Sequence, residues 1–211
     1  DYNLEVTFTH TGSNRSFKVP GYFAACGNAE NNSCASGNKW RVHFAPDQTG
    51  TWNWSASFKS GTNVAINGGG SAAGFMHGAT GSFSVAESDK SGRDYRSKGL
   101  GRLTYVGQHY LRHTGTDPSN PNGPWFVKAG ADSPENAFNY VDFDATPSYN
   151  NNLNKIGSKT WQPHQRDYVA ADASSYTWAS GKGTEILGMV NYLSGQGANV
   201  VSFLTWNTSG D

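Results

Sequence analysis

At 211 residues the chain has room for one large domain or two small ones, with a sizeable buried core. Its 16 basic and 16 acidic residues cancel and only 15% of positions are charged, so it lacks the basic excess or charge block of a nucleic-acid or membrane-surface binder. No apolar run approaches the roughly 20 residues that span a bilayer, and no basic start leads into an apolar signal segment, which reads as a mature, soluble chain. With 26 Gly, 7 Trp and 10 Tyr, the composition favours turn-rich β structure with aromatic faces of the kind that meet sugars.

In YNLEVTFT, Leu4, Val6 and Phe8 alternate with Glu5, Thr7 and Thr9, the period-two pattern of a strand with one buried face. The only cysteines, Cys26 and Cys34, enclose the polar stretch GNAENNS. A disulfide there would close a small loop, contribute about 2 kcal/mol and place the protein in an oxidising compartment, secreted or periplasmic. Two free thiols are the alternative, but exposed cysteines in a Gly/Asn loop are a liability. Trp40, Val42 and Phe44 alternate in KWRVHFAPD. After the turn DQTG, Trp52, Trp54, Ala56 and Phe58 alternate in TWNWSASF, so the two runs predict an antiparallel hairpin. At this spacing Trp52 and Trp54 suit a core better than a sugar platform. Val64 with Ile66, and Phe83 with Val85, predict further short strands. Short strands separated by Gly, Asn and Pro turns indicate an immunoglobulin-like β-sandwich over residues 1–92, ending in the linker-like stretch ESDKSGRD.

From about residue 95 the pattern changes. GRLTYVGQHYLRH and GPWFVKAGAD predict strands, and TEILGMVNYLSGQG predicts a helix over 184–194. Ile186, Leu187, Val190 and Leu193 share one face of that helix, with Thr184 or Gly183 at its start and Gly195 or Gly197 at its exit. Val200 to Trp206 is nearly continuous in β-branched, aliphatic and aromatic side chains, as in a strand of a parallel sheet. WFVKAGA, an enlarged connection through 133–183, the helix and VVSFLTW thus read as a βα unit followed by the next strand.

The pieces KWRVHFAPDQTGTWNW, RDYRSKGLGRLTYVGQHYLRHTG, FVKAGADSPENAFNYVDFD, WQPHQRDY and GKGTEILGMVNYLSGQGANVVSFLTWN resemble a family of secreted bacterial glycoside-hydrolase-like proteins. In that family an immunoglobulin-like N-terminal domain of unassigned function precedes an apiosidase-like (β/α)8 barrel. The resemblance runs through essentially the whole chain. It implies that residues 93–211 are the start of a TIM barrel. A complete barrel takes about 250 residues, so the barrel is expected to be incomplete here, with the remainder supplied by further polypeptide or a second chain. The implied function is that of a secreted enzyme cleaving glycosidic bonds in a polysaccharide, of which this chain is an N-terminal portion without activity of its own. Non-catalytic carbohydrate binding or adhesion is the alternative.

Active sites of (β/α)8 barrels lie at the C-terminal ends of the strands. The first strand ends at Asp132, followed by Glu135 and Asn136, and the second at Trp206 and Asn207. Asp132 and Glu135 invite reading as the paired carboxylates of glycoside hydrolysis. In the family this chain resembles, the acid and nucleophile come from later strands, which makes them, with Asn136 and Asn207, candidates for binding sugar hydroxyls. Trp206 is a candidate stacking platform for a pyranose face. WQPHQRDY adds Trp161 and His164 as binding candidates within a long connection. There His164 and Asp167 could form a proton-transfer pair, although a loop-anchoring bridge between Arg166 and Asp167 is favoured. His109 and His113 have a helical metal spacing but lie in a predicted strand, and Asp142 and Asp144 lack the spacing of a calcium loop, so no metal or cofactor is assigned.

Overall fold

The computed structural model describes residues 1–91, 100–117, 119–132, 137–143 and 159–203. The chain divides into two compact units, residues 1–27 with 34–127 and residues 28–33 with 128–211. The junction expected between residues 92 and 93 falls within 92–99, which lie outside the described residues.

In the first unit, β1 (Tyr2–His10), β2 (Ser16–Pro20), β5 (Gly50–Ser60), β6 (Ser71–Ala72) and β7 (Thr80–Val85) form a five-stranded sheet ordered β2-β1-β5-β6, with β7 also on β5. Every pairing is antiparallel. Leu4, Val6 and Phe8 of β1 and Trp52, Ala56 and Phe58 of β5 are buried together on one face, as their alternation predicts. A second layer covers that face. It consists of the ribbon of β3 (Tyr22–Phe23) with β4 (Trp40–Arg41) and of the residues that follow it. Trp40 meets Phe58 edge-on with ring centroids 5.0 Å apart, and Phe44 stacks on Phe8 at 4.2 Å. The unit is therefore β-sandwich-like, with Trp52 wholly buried at its centre.

Two local expectations are corrected. The runs around Trp40 and Trp52 are not a hairpin, because β4 pairs with β3 while β5 pairs with β1, β6 and β7. The link between them crosses from one layer to the other. It is fixed by Asp47, whose buried carboxylate meets Arg15 Nε at 2.8 Å, and by the Trp52 indole N–H, which donates to the Gln48 carbonyl at 3.0 Å. The alternation of Trp40, Val42 and Phe44 is real, but these side chains face β5 across the core rather than beside it. Val64 and Ile66 belong not to a strand but to the helical turn α2 (Val64–Asn67), entered through Asn63 in the left-handed region. Val64 alone plugs the core, whereas Ile66 is 86% exposed.

A separate three-stranded antiparallel sheet, ordered β10-β9-β8, contains β8 (Leu103–Tyr105), β9 (Leu111–His113) and β10 (Trp125–Phe126). The expected strand WFVKAGA thus begins in an antiparallel pairing, with Phe126 opposite Leu111.

The second unit includes α1 (Ala29–Asn32), α3 (Ala170–Ala173) and α4 (Thr184–Gly195), together with a 3-10 helix at Gln162–Asp167. The loop carrying α1 is closed by the Cys26–Cys34 disulfide, with Cα atoms 6.2 Å apart. Helix α4 appears where its period predicts. Its buried positions are Gly188 and Met189, however, and Val190 is 51% exposed, so the expected face is shifted. The cause is contact with the 3-10 helix: a Cβ at residue 188 would collide with the His164 carbonyl, so glycine permits the approach. Among the described residues of the expected strand from Val200 to Trp206, 200–203 carry no strand assignment, and Leu204 to Trp206 lie outside them.

Trp52→Ala is expected to destabilise the first unit by about 3–5 kcal/mol, since it empties the largest fully buried site. Urea unfolding followed by circular dichroism measures this, and a loss below about 1 kcal/mol would contradict the described core.

Candidate functional site

Asp132 follows a short segment, 129–131, that lies beside residues 199–202. Asn199 N–H donates to the Ala129 carbonyl at 2.8 Å and Ser202 N–H to the Ala131 carbonyl at 3.5 Å, so residue numbers rise together along the two segments. The Asn199 side chain returns a bond, its Oδ1 accepting from Ala129 N–H at 2.8 Å. Gly130 sits where a Cβ would strike the Val200 carbonyl, which explains the glycine in FVKAGAD.

This juxtaposition builds a three-residue cluster. Lys128 Nζ donates to Asp132 Oδ1 at 2.7 Å and to Ser202 Oγ at 3.0 Å, and the Ser202 hydroxyl donates to the same Asp132 oxygen at 2.9 Å. The hydrogen bond from Lys128 foremost, then that from Ser202, holds the Asp132 carboxyl below its ordinary value of 3.8. Asp132 is therefore ionised at neutral pH. Its side chain is 77% exposed and its Oδ2 has no acceptor duty among the described residues, so it remains open to a donor from outside.

Trp161 and His164 lie together elsewhere in the second unit, at the 3-10 helix packed on α4. Trp161 N–H donates to Glu185 Oε2 at 2.9 Å, and its indole Nε1 is buried with no partner among the described residues. His164 Nδ1 is 3.1 Å from Asp167 Oδ2, and its ring lies 4.8 Å from that of Tyr192. Arg166 Nε is 3.6 Å from the same Asp167 oxygen. Asp167 is thus shared between histidine and arginine, and Asn191 Nδ2 donates to its carbonyl at 3.1 Å, which ties the 3-10 helix to α4. Tyr140 is fully buried and donates to Asp142 Oδ2 at 2.7 Å, an oxygen that also accepts from Gly183 N–H at 2.9 Å. Burial first, then Asp142, pushes the Tyr140 phenol well above its ordinary value of 10.0. Asp142 is thereby engaged at the start of α4, and Asp144 lies outside the described residues.

Glu135, Asn136, Trp206 and Asn207 also lie outside the described residues. Of the sequence candidates, Asp132 stands in one cluster, and Trp161 and His164 in another. Sequence reasoning missed Lys128 and Ser202 around Asp132. The four-residue spacing of Lys128 and Asp132 was a visible signal, whereas Ser202 lies 70 residues from Asp132.

A third feature occupies the outer face of the five-stranded sheet. Thr7, Ser55 and Thr80 form one cross-strand row, and Thr9, Asn53 and Ser82 the next. They line a shallow hollow of about 460 Å³. Trp54 and Gly81 complete its lining, which offers hydroxyls, one amide and an indole but no charge.

Residues 1–59 match the family described as Domain of unknown function (DUF5060). No curated protein and no solved structure matches the chain.

Lys128→Met is expected to move the Asp132 titration upward, towards 3.8, in carboxyl carbon NMR. The sign follows because Lys128 favours the charged carboxylate, so its removal raises the midpoint; the stability this contact contributes is present above the unfolded-state pKa and is lost as pH falls through the folded one. An unchanged Asp132 midpoint in the variant would show that the Lys128 contact does not persist in solution.

Proposed function

We propose that this chain is the N-terminal portion of a secreted glycoside hydrolase that cleaves glycosidic bonds in a polysaccharide. In this reading the sandwich-like unit is immunoglobulin-like, and the segments at 129–131 and 199–202 open a (β/α)8 barrel. The observation that carries it is the same-sense hydrogen bonding of those two segments, with α4 in the connection between them. Parallel neighbours joined through a helix are the repeating unit of such a barrel. Val190 and Phe203, 51% and 41% exposed, are apolar surface that further barrel polypeptide would cover. The disulfide fits an oxidising, extracellular setting, and no helix among the described residues is long and apolar enough to cross a membrane.

Asp132 then sits at the C-terminal end of the first barrel strand, where substrate binds. Lys128 and Ser202 favour its carboxylate form, which suits hydrogen-bond acceptance better than proton donation. Its Oδ2, which has no partner among the described residues, accepts a hydrogen bond from a sugar hydroxyl, the role this reading assigns to it. Glu135, Asn136, Trp206 and Asn207 complete the proposed binding set, with Trp161 and His164 in the connection.

A second reading, a non-catalytic carbohydrate-binding or adhesion module, is favoured by the hydroxyl-lined hollow on the sheet face. Assay of the full-length gene product on a panel of plant and marine polysaccharides separates the two. The hydrolase reading expects reducing ends to be released, with Asp132→Asn raising KM more than it lowers kcat. Retention on a polysaccharide with no turnover of any substrate would replace it with the binding-module reading.

A further inference from the structure

In the sheet β10-β9-β8, Thr104 pairs with Arg112 and Arg112 with Trp125. Directly opposed residues project to the same face of a sheet, so a hydroxyl, a guanidinium and an indole form one cross-strand row. Trp125 is 44% exposed. The Arg112 guanidinium carbon lies over its ring, 5.0 Å from the centroid, and Arg112 Nε–H donates to the Gly123 carbonyl at 2.7 Å. That bond and the ring contact fix the plane of the guanidinium. Its terminal nitrogens have no acceptor among the described residues, and no described carboxylate neutralises it.

We propose that Thr104, Arg112 and Trp125 form a binding subsite for a saccharide that contains uronic acid. The inference rests on the polysaccharide reading above and names a chemical class for a ligand, using residues other than those around Asp132. Each member of the row supplies one part of the recognition. The open part of the indole takes the apolar C–H face of a pyranose. The pre-oriented guanidinium offers paired N–H donors to the planar sugar carboxylate, a geometry that a neutral sugar cannot use and that matches carboxylate better than a point cation would. The Thr104 hydroxyl meets a ring hydroxyl. Strands stand ~4.8 Å apart, so the row spans roughly 10 Å and faces a stretch of glycan rather than a single group.

The test is calorimetry and tryptophan fluorescence on the 211-residue chain, with oligogalacturonate as the acidic probe and a cello-oligosaccharide as the neutral one. Oligogalacturonate should bind and the neutral probe should not match it. Trp125→Ala and Arg112→Gln should each weaken binding by about tenfold or more, with Arg112→Lys in between because it keeps charge but loses the planar fork. Circular dichroism checks each fold, and if Trp125→Ala does not fold, Arg112→Gln decides. Equal affinity for both probes, no binding of oligogalacturonate, or binding unchanged in the variants would overturn the proposal. So would a concentration-dependent dimer abolished by Trp125→Ala, which would assign the face to a second copy of the chain. The outcomes also separate this inference from the hydrolase reading. Variant-sensitive binding without polysaccharide hydrolysis by the full-length product would uphold the subsite and sink the hydrolase. Hydrolysis without acidic binding here would do the reverse.

Discussion

The first unit depends on the burial of one face of β5. This strand is paired along its length with β1 and over most of its length with β7, and it also carries β6. It places Trp52, Ala56 and Phe58 in the core. A two-stranded ribbon such as β1 with β2 is marginal alone in water, and it becomes stable only when a further strand and a covering layer exclude solvent from its apolar face. Trp52 meets both requirements. Its indole touches Phe44 of the covering layer, with centroids 5.1 Å apart, while its N–H is satisfied by the Gln48 carbonyl at the layer crossing. The same alternation that buries Trp52 turns Asn53 and Ser55 outward, so the hydroxyl-lined hollow is the necessary reverse side of the core.

In the second unit, close backbone approaches take over that organising role. Gly188 lets α4 meet the 3-10 helix, and Gly130 lets residues 129–131 meet Val200. The candidate groups follow from these approaches. His164 and Asp167 are held against Tyr192 and Asn191, and Asp132 is brought to Ser202 and Lys128. Asp132 accordingly has one carboxylate oxygen held by both Lys128 and Ser202.

What the sequence reveals is governed by the range of the interactions that decide it. The alternation of Leu4, Val6 and Phe8 and the period of α4 are local, and both are legible. The disulfide is nearly so, since its two cysteines are the only ones and lie 8 residues apart. The layer to which Trp40 and Phe44 belong is set instead by nonlocal contacts, the pairing of β4 with β3 and the stacking of Phe44 on Phe8, which no local hydropathy pattern signals. Val64 reads as part of a strand because one buried valine in a helical turn and two in a strand leave similar traces in so short a segment. The docking face of α4 was misjudged because Gly188 contributes by lacking a side chain, and hydropathy gives that no weight. The partners of Asp132 were half legible, Lys128 being four residues away and Ser202 seventy.

Amide hydrogen exchange tests the central role of β5 most directly. If the unit is organised around that strand, the amides of Trp52 to Ser55, which lie between β1 on one side and β7 on the other, should exchange only through global unfolding, with the same free energy as measured by denaturant. Those of the two-residue strands β3 and β6 should exchange through smaller openings. Amides of β5 that exchange as fast as those of β3 and β6 would contradict the account.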